Sequence, residues 1–158
     1  MNFVKSFKIN FKEFKEFLKI YRKIKMEEKM EKELREILER NIDWSKISEK
    51  EELSENFIRE YQDKVCWGWI SGHQTLSEKF IREFQIVVYW EWISHYQILS
   101  EDFIREFKDR VNWFWVAEHQ ILSEDFIREF QDKVNWKRIS EHQTLSEDFI
   151  REFQDKVN

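Results

Sequence analysis

The chain has 158 residues, 37% charged and 41% hydrophobic, with two glycines and no proline. Turn-rich β and mixed folds draw on those two residue types, so the composition argues for helices joined by short polar turns. Net charge is −5, the single cysteine (Cys66) allows no internal disulfide, and no apolar run approaches the ~18 residues of a membrane span.

Residues 1–29 hold nine Lys/Arg and four Glu, a balance of +5. Phe3, Phe7, Phe11, Phe14, Leu18 and Tyr21 step by three and four residues among the lysines, which predicts a basic amphipathic helix. Its expected role is to cap a repeat array and cover its exposed core. It is also the one candidate for contact with an acidic membrane surface. The segment lacks the apolar core of a secretion signal, so an intracellular, cytoplasmic protein is expected.

Residues 30–158 carry eighteen cations and twenty-eight acids, a balance of −10. Such a body argues against nucleic acid as a partner, because phosphate contacts need cations. This stretch is a tandem repeat. Leu-Ser-Glu-x-Phe-Ile-Arg-Glu-(Phe/Tyr) starts at Leu53, Leu76, Leu99, Leu122 and Leu145, always 23 residues apart. Trp44, Trp67, Trp90, Trp113 and Trp136 keep the same step, as do Ile47, Ile70, Ile93, Val116 and Ile139. The register extends back through Met30, Leu34, Leu38 and Ile42, so a degenerate unit begins near residue 30, clear units begin at 53, 76, 99 and 122, and a partial unit begins at 145. An atypical terminal unit is what a stack with a water-facing end requires.

One unit predicts two helices. After Leu122, Ser123 is placed to cap a helix, with Leu122 and Ile127 as a hydrophobic staple. Phe126, Phe130 and Val134 follow at i, i+4 and i+8 as an apolar stripe, while Arg128 with Asp132 and Glu129 with Lys133 are expected as outward i, i+4 pairs. Asn135 ends this helix or caps a second, shorter one that carries Trp136 and Ile139 inward. His142, Gln143 and Thr144 turn into the next unit. Neither helix buries its face alone, and stacked units do. The expected fold is therefore an all-α solenoid, right- or left-handed, of short helix-turn-helix repeats behind an N-terminal capping helix, with Trp44, Trp67, Trp90, Trp113 and Trp136 as its structural core ladder.

Nothing in the chain reads as catalytic, and no cofactor is expected. Gly68 and Gly72 make no phosphate-binding loop, and there is no zinc-site spacing of Cys and His. His73, His95, His119 and His142 fall in the turn between units and are read as turn or packing residues. Ser, His and Asp recur because the unit recurs, whereas an active site is normally singular.

Near-copies make their differences informative. Two places after the ladder tryptophan, the middle units carry Trp69, Trp92 and Trp115, whereas the flanking units carry Lys46 and Arg138. A position that accepts a cation should be at least half exposed. Where other units read Gln-Asp-Lys-Val or close to it, the second clear unit reads Gln85-Ile86-Val87-Val88 followed by Tyr89, and Phe114 stands where others carry Ser45, Gly68, Glu91 or Lys137. If these residues face solvent, they form a central aromatic patch suited to a protein partner, with Trp69, Trp92, Trp115, Ile86, Val87, Tyr89 and Phe114 as its contact set. Otherwise they serve self-association, which a homo-oligomer would express, or packing between middle repeats.

The string Leu-Ser-Glu-Asp-Phe-Ile-Arg-Glu-Phe-Gln-Asp-Lys-Val-Asn-Trp at 122–136 resembles a short repeat of uncharacterised proteins from phages, low-GC bacteria and giant viruses. The resemblance covers roughly residues 44–158 and implies no established activity. It implies a mobile-element origin. Two functions are expected in competition, beside that of a self-associating structural repeat protein. One is a non-enzymatic scaffold that docks a protein partner through the aromatic patch and acidic surface. The other is a phage-encoded inhibitor of a host defence nuclease, anti-CRISPR-like, whose carboxylates mimic nucleic acid.

Overall fold

The computed structural model describes residues 12, 13, 15, 16, 36 and 40–157. The expected stripe from Phe3 to Tyr21, together with Met30, Leu34 and Leu38, lies outside them. Lys12, Glu13, Lys15 and Glu16 are helical and exposed, as the polar face of that segment requires. From Trp44 onward the described residues form ten helices and no strand.

The fold divides into two compact units, Met1–Cys66 and Trp67–Asn158. The first contains α1 (Trp44–Lys50) and α2 (Glu55–Glu60). The second contains α3 (Trp67–His73), α4 (Glu78–Glu83), α5 (Trp90–Tyr96), α6 (Glu101–Glu106), α7 (Trp113–His119), α8 (Glu124–Glu129), α9 (Trp136–His142) and α10 (Glu147–Glu152). The division falls between Cys66 and the ladder residue Trp67. Each hairpin depends on its immediate neighbours, so a stack has no obligatory single boundary.

Every repeat is a six-residue helix followed by a seven-residue helix. The second helix is thus the longer in regular turns, the reverse of the expectation. The first starts as expected: Ser123 Oγ accepts the Phe126 N–H at 3.2 Å, and Ser77, Ser100 and Ser146 repeat the bond. The serine's own N–H is taken by a carboxylate of the preceding unit. Ser100, Ser123 and Ser146 donate to Oε1 of Glu78, Glu101 and Glu124, each at 2.6 Å. A capping box is thereby completed between repeats instead of within one helix.

The same helix stops at Glu129. Phe130 leaves the helical region (φ −111°, ψ 28°), and Lys133 and Val134 both donate back to its carbonyl, at 2.8 and 3.0 Å. The i, i+4 pairs expected from Arg128 to Asp132 and from Glu129 to Lys133 do not form, because their second members lie beyond the helix. Arg128 instead meets Asp125 at 3.0 Å and Glu152 of the next unit at 2.9 Å. Arg82 with Glu106 and Arg105 with Glu129 make the equivalent bridges at 2.7 Å, and Lys133 reaches Asp109 at 2.6 Å. Much of the acid that seemed free in the sequence is paired across units.

In the second compact unit, α3 packs on α5, α5 on α7 and α7 on α9. The stripe Phe126, Phe130 and Val134 is buried as expected. The fully enclosed layer is made by Phe80, Phe103, Phe126 and Phe149 with Ile70, Ile81, Ile93, Ile104, Ile127 and Ile139. Each such side chain stabilises by about 1.5–3 kcal/mol on area transfer. The ladder tryptophans are only half-buried. Trp90, Trp113 and Trp136 lay their rings 4.8–5.0 Å from Phe107, Phe130 and Phe153 and donate their indole N–H to the carbonyls of Gln85, Lys108 and Gln131. An indole carries a donor that needs a partner, which suits the margin of a core better than its centre.

Two buried polar columns tie neighbouring units together. Ser71 and Ser94 donate to the carbonyls of Trp67 and Trp90 at 2.7 Å and accept the N–H of Tyr89 and Asn112 in the following unit. The glutamine in the turn is a stronger clamp. Gln120 Oε1 accepts the Leu99 N–H at 2.9 Å, and its Nε2 donates to the carbonyls of Ser94 and Gln97 at 3.3 and 2.8 Å. Gln97 and Gln143 repeat the arrangement one unit before and after.

Candidate protein-binding face

The second helix is capped by the residue before its tryptophan where that residue is Asp or Asn. Asn112 accepts the Phe114 N–H and Asn135 the Arg138 N–H. Tyr89, the substituted residue at that place, makes no such bond. With its first and fourth residues turned to the core, the helix presents its third, sixth and seventh outward. Those positions hold Trp69, Gly72 and His73 in α3; Trp92, His95 and Tyr96 in α5; and Trp115, Glu118 and His119 in α7.

These residues form a linked aromatic row. Trp69 meets His73 edge-on at 4.9 Å and Trp92 at 6.3 Å. Trp92 stacks on Tyr96 at 5.7 Å, and Tyr96 on His95 at 4.0 Å. His95 lies parallel to Trp115 at 4.0 Å and within 4.4 Å of His119. Phe114 abuts Trp115 edge-on at 4.7 Å. Gly72 admits this arrangement, since a Cβ there would collide with Trp92 Cε3 and stand 3.0 Å from Cζ3. The row ends at Arg138, whose guanidinium covers the Phe114 ring at 4.3 Å and pairs with Glu118 at 3.2 Å and Glu141 at 2.9 Å.

Trp69, Trp92, Trp115 and Phe114 are half-buried, so part of each ring remains open to solvent. Ile86 (87% exposed), Val87 and Tyr89 are exposed too, but lie in the turn after α4 and at the start of α5. Among the described residues they share none of the ring contacts of the row. The loss of charge at Ile86 leaves Arg110 without the aspartate that its counterpart Lys133 finds in Asp109, and Arg110 donates to the Gln85 carbonyl at 2.7 Å. Four exposed apolar residues escaped the sequence reading: Ile150 in the last unit, Tyr96, and Ile98 and Ile121, these two 94% and 96% exposed at one repeat position. The available signal was that Thr75 and Thr144 occupy that position in other units. Tyr96 and Ile98 line one shallow cavity with His73 and Thr75, which extends the aromatic row toward the turns.

Among the described residues no group of three His, Cys, Asp or Glu is placed to hold a metal, and no helix is long and apolar enough to cross a membrane. Cys66 is half-buried, its N–H bonded to Ser48 Oγ. Burial and the neighbouring His95 hold the His119 imidazole below its ordinary range; His142 adds to the effect and Glu118 opposes it. A base with a depressed native pKa binds fewer protons folded than unfolded. Its stabilising effect is complete above about pH 6.5 and declines as pH falls through that value toward the native pKa. Urea midpoints between pH 7.5 and 5 should therefore fall less steeply for His119→Gln than for the parent. Equal slopes would mean that His119 titrates normally.

No protein-family model, curated protein or solved structure matches this chain.

Proposed function

We propose that the chain is a non-enzymatic scaffold that docks a protein partner on the aromatic row of α3, α5 and α7. The observation that carries this reading is the row itself: Trp69, Trp92, Tyr96 and Trp115 run from unit to unit, each partly open to solvent, and the fourth unit replaces the tryptophan with Arg138. Clustered tryptophan and tyrosine anchors on a rigid scaffold are the usual source of interface energy. The reading is favoured over the nucleic-acid mimic by the Arg–Glu bridges, which neutralise carboxylates that a mimic would need free. A mobile-element origin and an intracellular site remain compatible with either function.

The test is the triple variant Trp69→Lys, Trp92→Lys and Trp115→Lys. Because each site is half-open and its counterpart elsewhere is Lys46 or Arg138, the variant should remain helical. Partner capture should fall by more than about tenfold, the loss of one good anchor. Unchanged capture and oligomeric state, with a large loss of stability, would identify the row as internal packing. Sedimentation of the parent distinguishes a foreign partner from a second copy. An aromatic-anchored complex should persist as salt rises, whereas a charge mimic should dissociate steeply.

A further inference from the structure

We infer that the pocket between α5 and α7 receives an arginine side chain from a basic segment of the partner. The pocket has a volume of about 290 Å³ and is lined by Glu91, Trp92, His95, Tyr96 and Trp115. Four of the five lining side chains are aromatic, and the fifth, Glu91, is exposed, with no ion-pair partner among the described residues. Ring faces attract cations, and a carboxylate beside them adds charge and hydrogen-bond acceptors in the plane a guanidinium uses.

The molecule satisfies the same chemistry internally one repeat later. Arg138 occupies the repeat position of Trp115, lies over Phe114 and forms an ion pair with Glu118. Arg82, Arg105 and Arg128 likewise cover the rings of Phe103, Phe126 and Phe149 while paired to glutamates. Ring, carboxylate and guanidinium thus recur as a set throughout the stack. At the α5–α7 pocket rings and a carboxylate are present, and Trp115 stands where Arg138 stands one repeat later. The −10 balance of residues 30–158 favours a basic partner over an acidic one.

The biological sense of this site rests on the scaffold reading, but its chemistry can be measured on the chain alone. N-acetyl-arginine amide is titrated against N-acetyl-citrulline amide, a neutral analogue of the same shape, and the indole N–H signals of Trp92 and Trp115 are followed by NMR. Trp136, whose indole is committed to the Gln131 carbonyl, is the internal control. The arginine compound should shift Trp92 and Trp115 saturably and leave Trp136 unmoved. The citrulline compound should bind about tenfold more weakly, the ratio expected for loss of a partly desolvated cation–π contact. Glu91→Gln, a change at an exposed side chain, should weaken arginine binding about fivefold. Equal binding of the two compounds, indifference to Glu91→Gln, or no saturable shift would each overturn the assignment. Those results leave the docking face intact; that face fails only if the lysine variants leave partner capture unchanged.

Discussion

Replacing Gln120 by alanine should lower the unfolding free energy by about 4 kcal/mol, with the loss read from urea denaturation. The side chain is buried and satisfies three backbone groups at once: the Leu99 N–H and the carbonyls of Ser94 and Gln97. Truncation strands all three in a site closed to solvent, where each orphaned group costs roughly 1–3 kcal/mol and relaxation recovers part of the sum. Gln120→Leu keeps the volume and should be nearly as damaging, since it is polar satisfaction that is lost. Gln143, which makes the same bonds from a half-buried position in the terminal part of the stack, should cost less when replaced. Equal losses at both sites would show that burial does not set the strength of the clamp.

Phe103→Ala should cost a similar amount, about 4 kcal/mol, by another mechanism. The ring is fully enclosed, with Trp90 at 6.2 Å, Phe107 at 4.7 Å and the Arg82 guanidinium over one face at 4.9 Å. Its removal leaves a cavity between two repeats that neighbouring units cannot close without shifting their own register. Ile98→Ser is the contrasting change. Ile98 is almost wholly exposed, and its replacement by the kind of residue found at Thr75 and Thr144 should leave stability within about 0.5 kcal/mol. A large loss at Ile98 would place that side chain in a contact the fold does not provide.

Part of the candidate face could be read before any coordinates. Trp69, Trp92 and Trp115 stood out because Lys46 and Arg138 share their position, and a site open enough for a cation is open enough for a partner. The link to Tyr96 and His95 was hidden by a one-residue offset. His95 falls one place before the position of His73 and His119, and only the helix geometry shows that this offset slides an imidazole between Trp115 and Tyr96. Ile86, Val87 and Tyr89 depart from the repeat in the same central units and are exposed, and Tyr89 makes none of the ring contacts of the row.

The 23-residue step, the serine caps, the buried stripe of Phe126, Phe130 and Val134 and the two-helix unit all follow from residue order. They rest on local rules: a capping hydroxyl acts three residues away and a stripe repeats every three or four. The early end of each first helix, the Arg–Glu bridges across 24 residues, the capping carboxylate lent by the preceding unit and the glutamine clamp required the folded stack. The partners in the bridges, the lent cap and the clamp lie 21 to 26 residues away. Periodicity reports which residues recur. It does not report which atoms of adjacent copies meet, because that depends on the offset at which one hairpin packs on the next. A glutamine in a turn has the same local pattern whether its amide faces water or holds two repeats together.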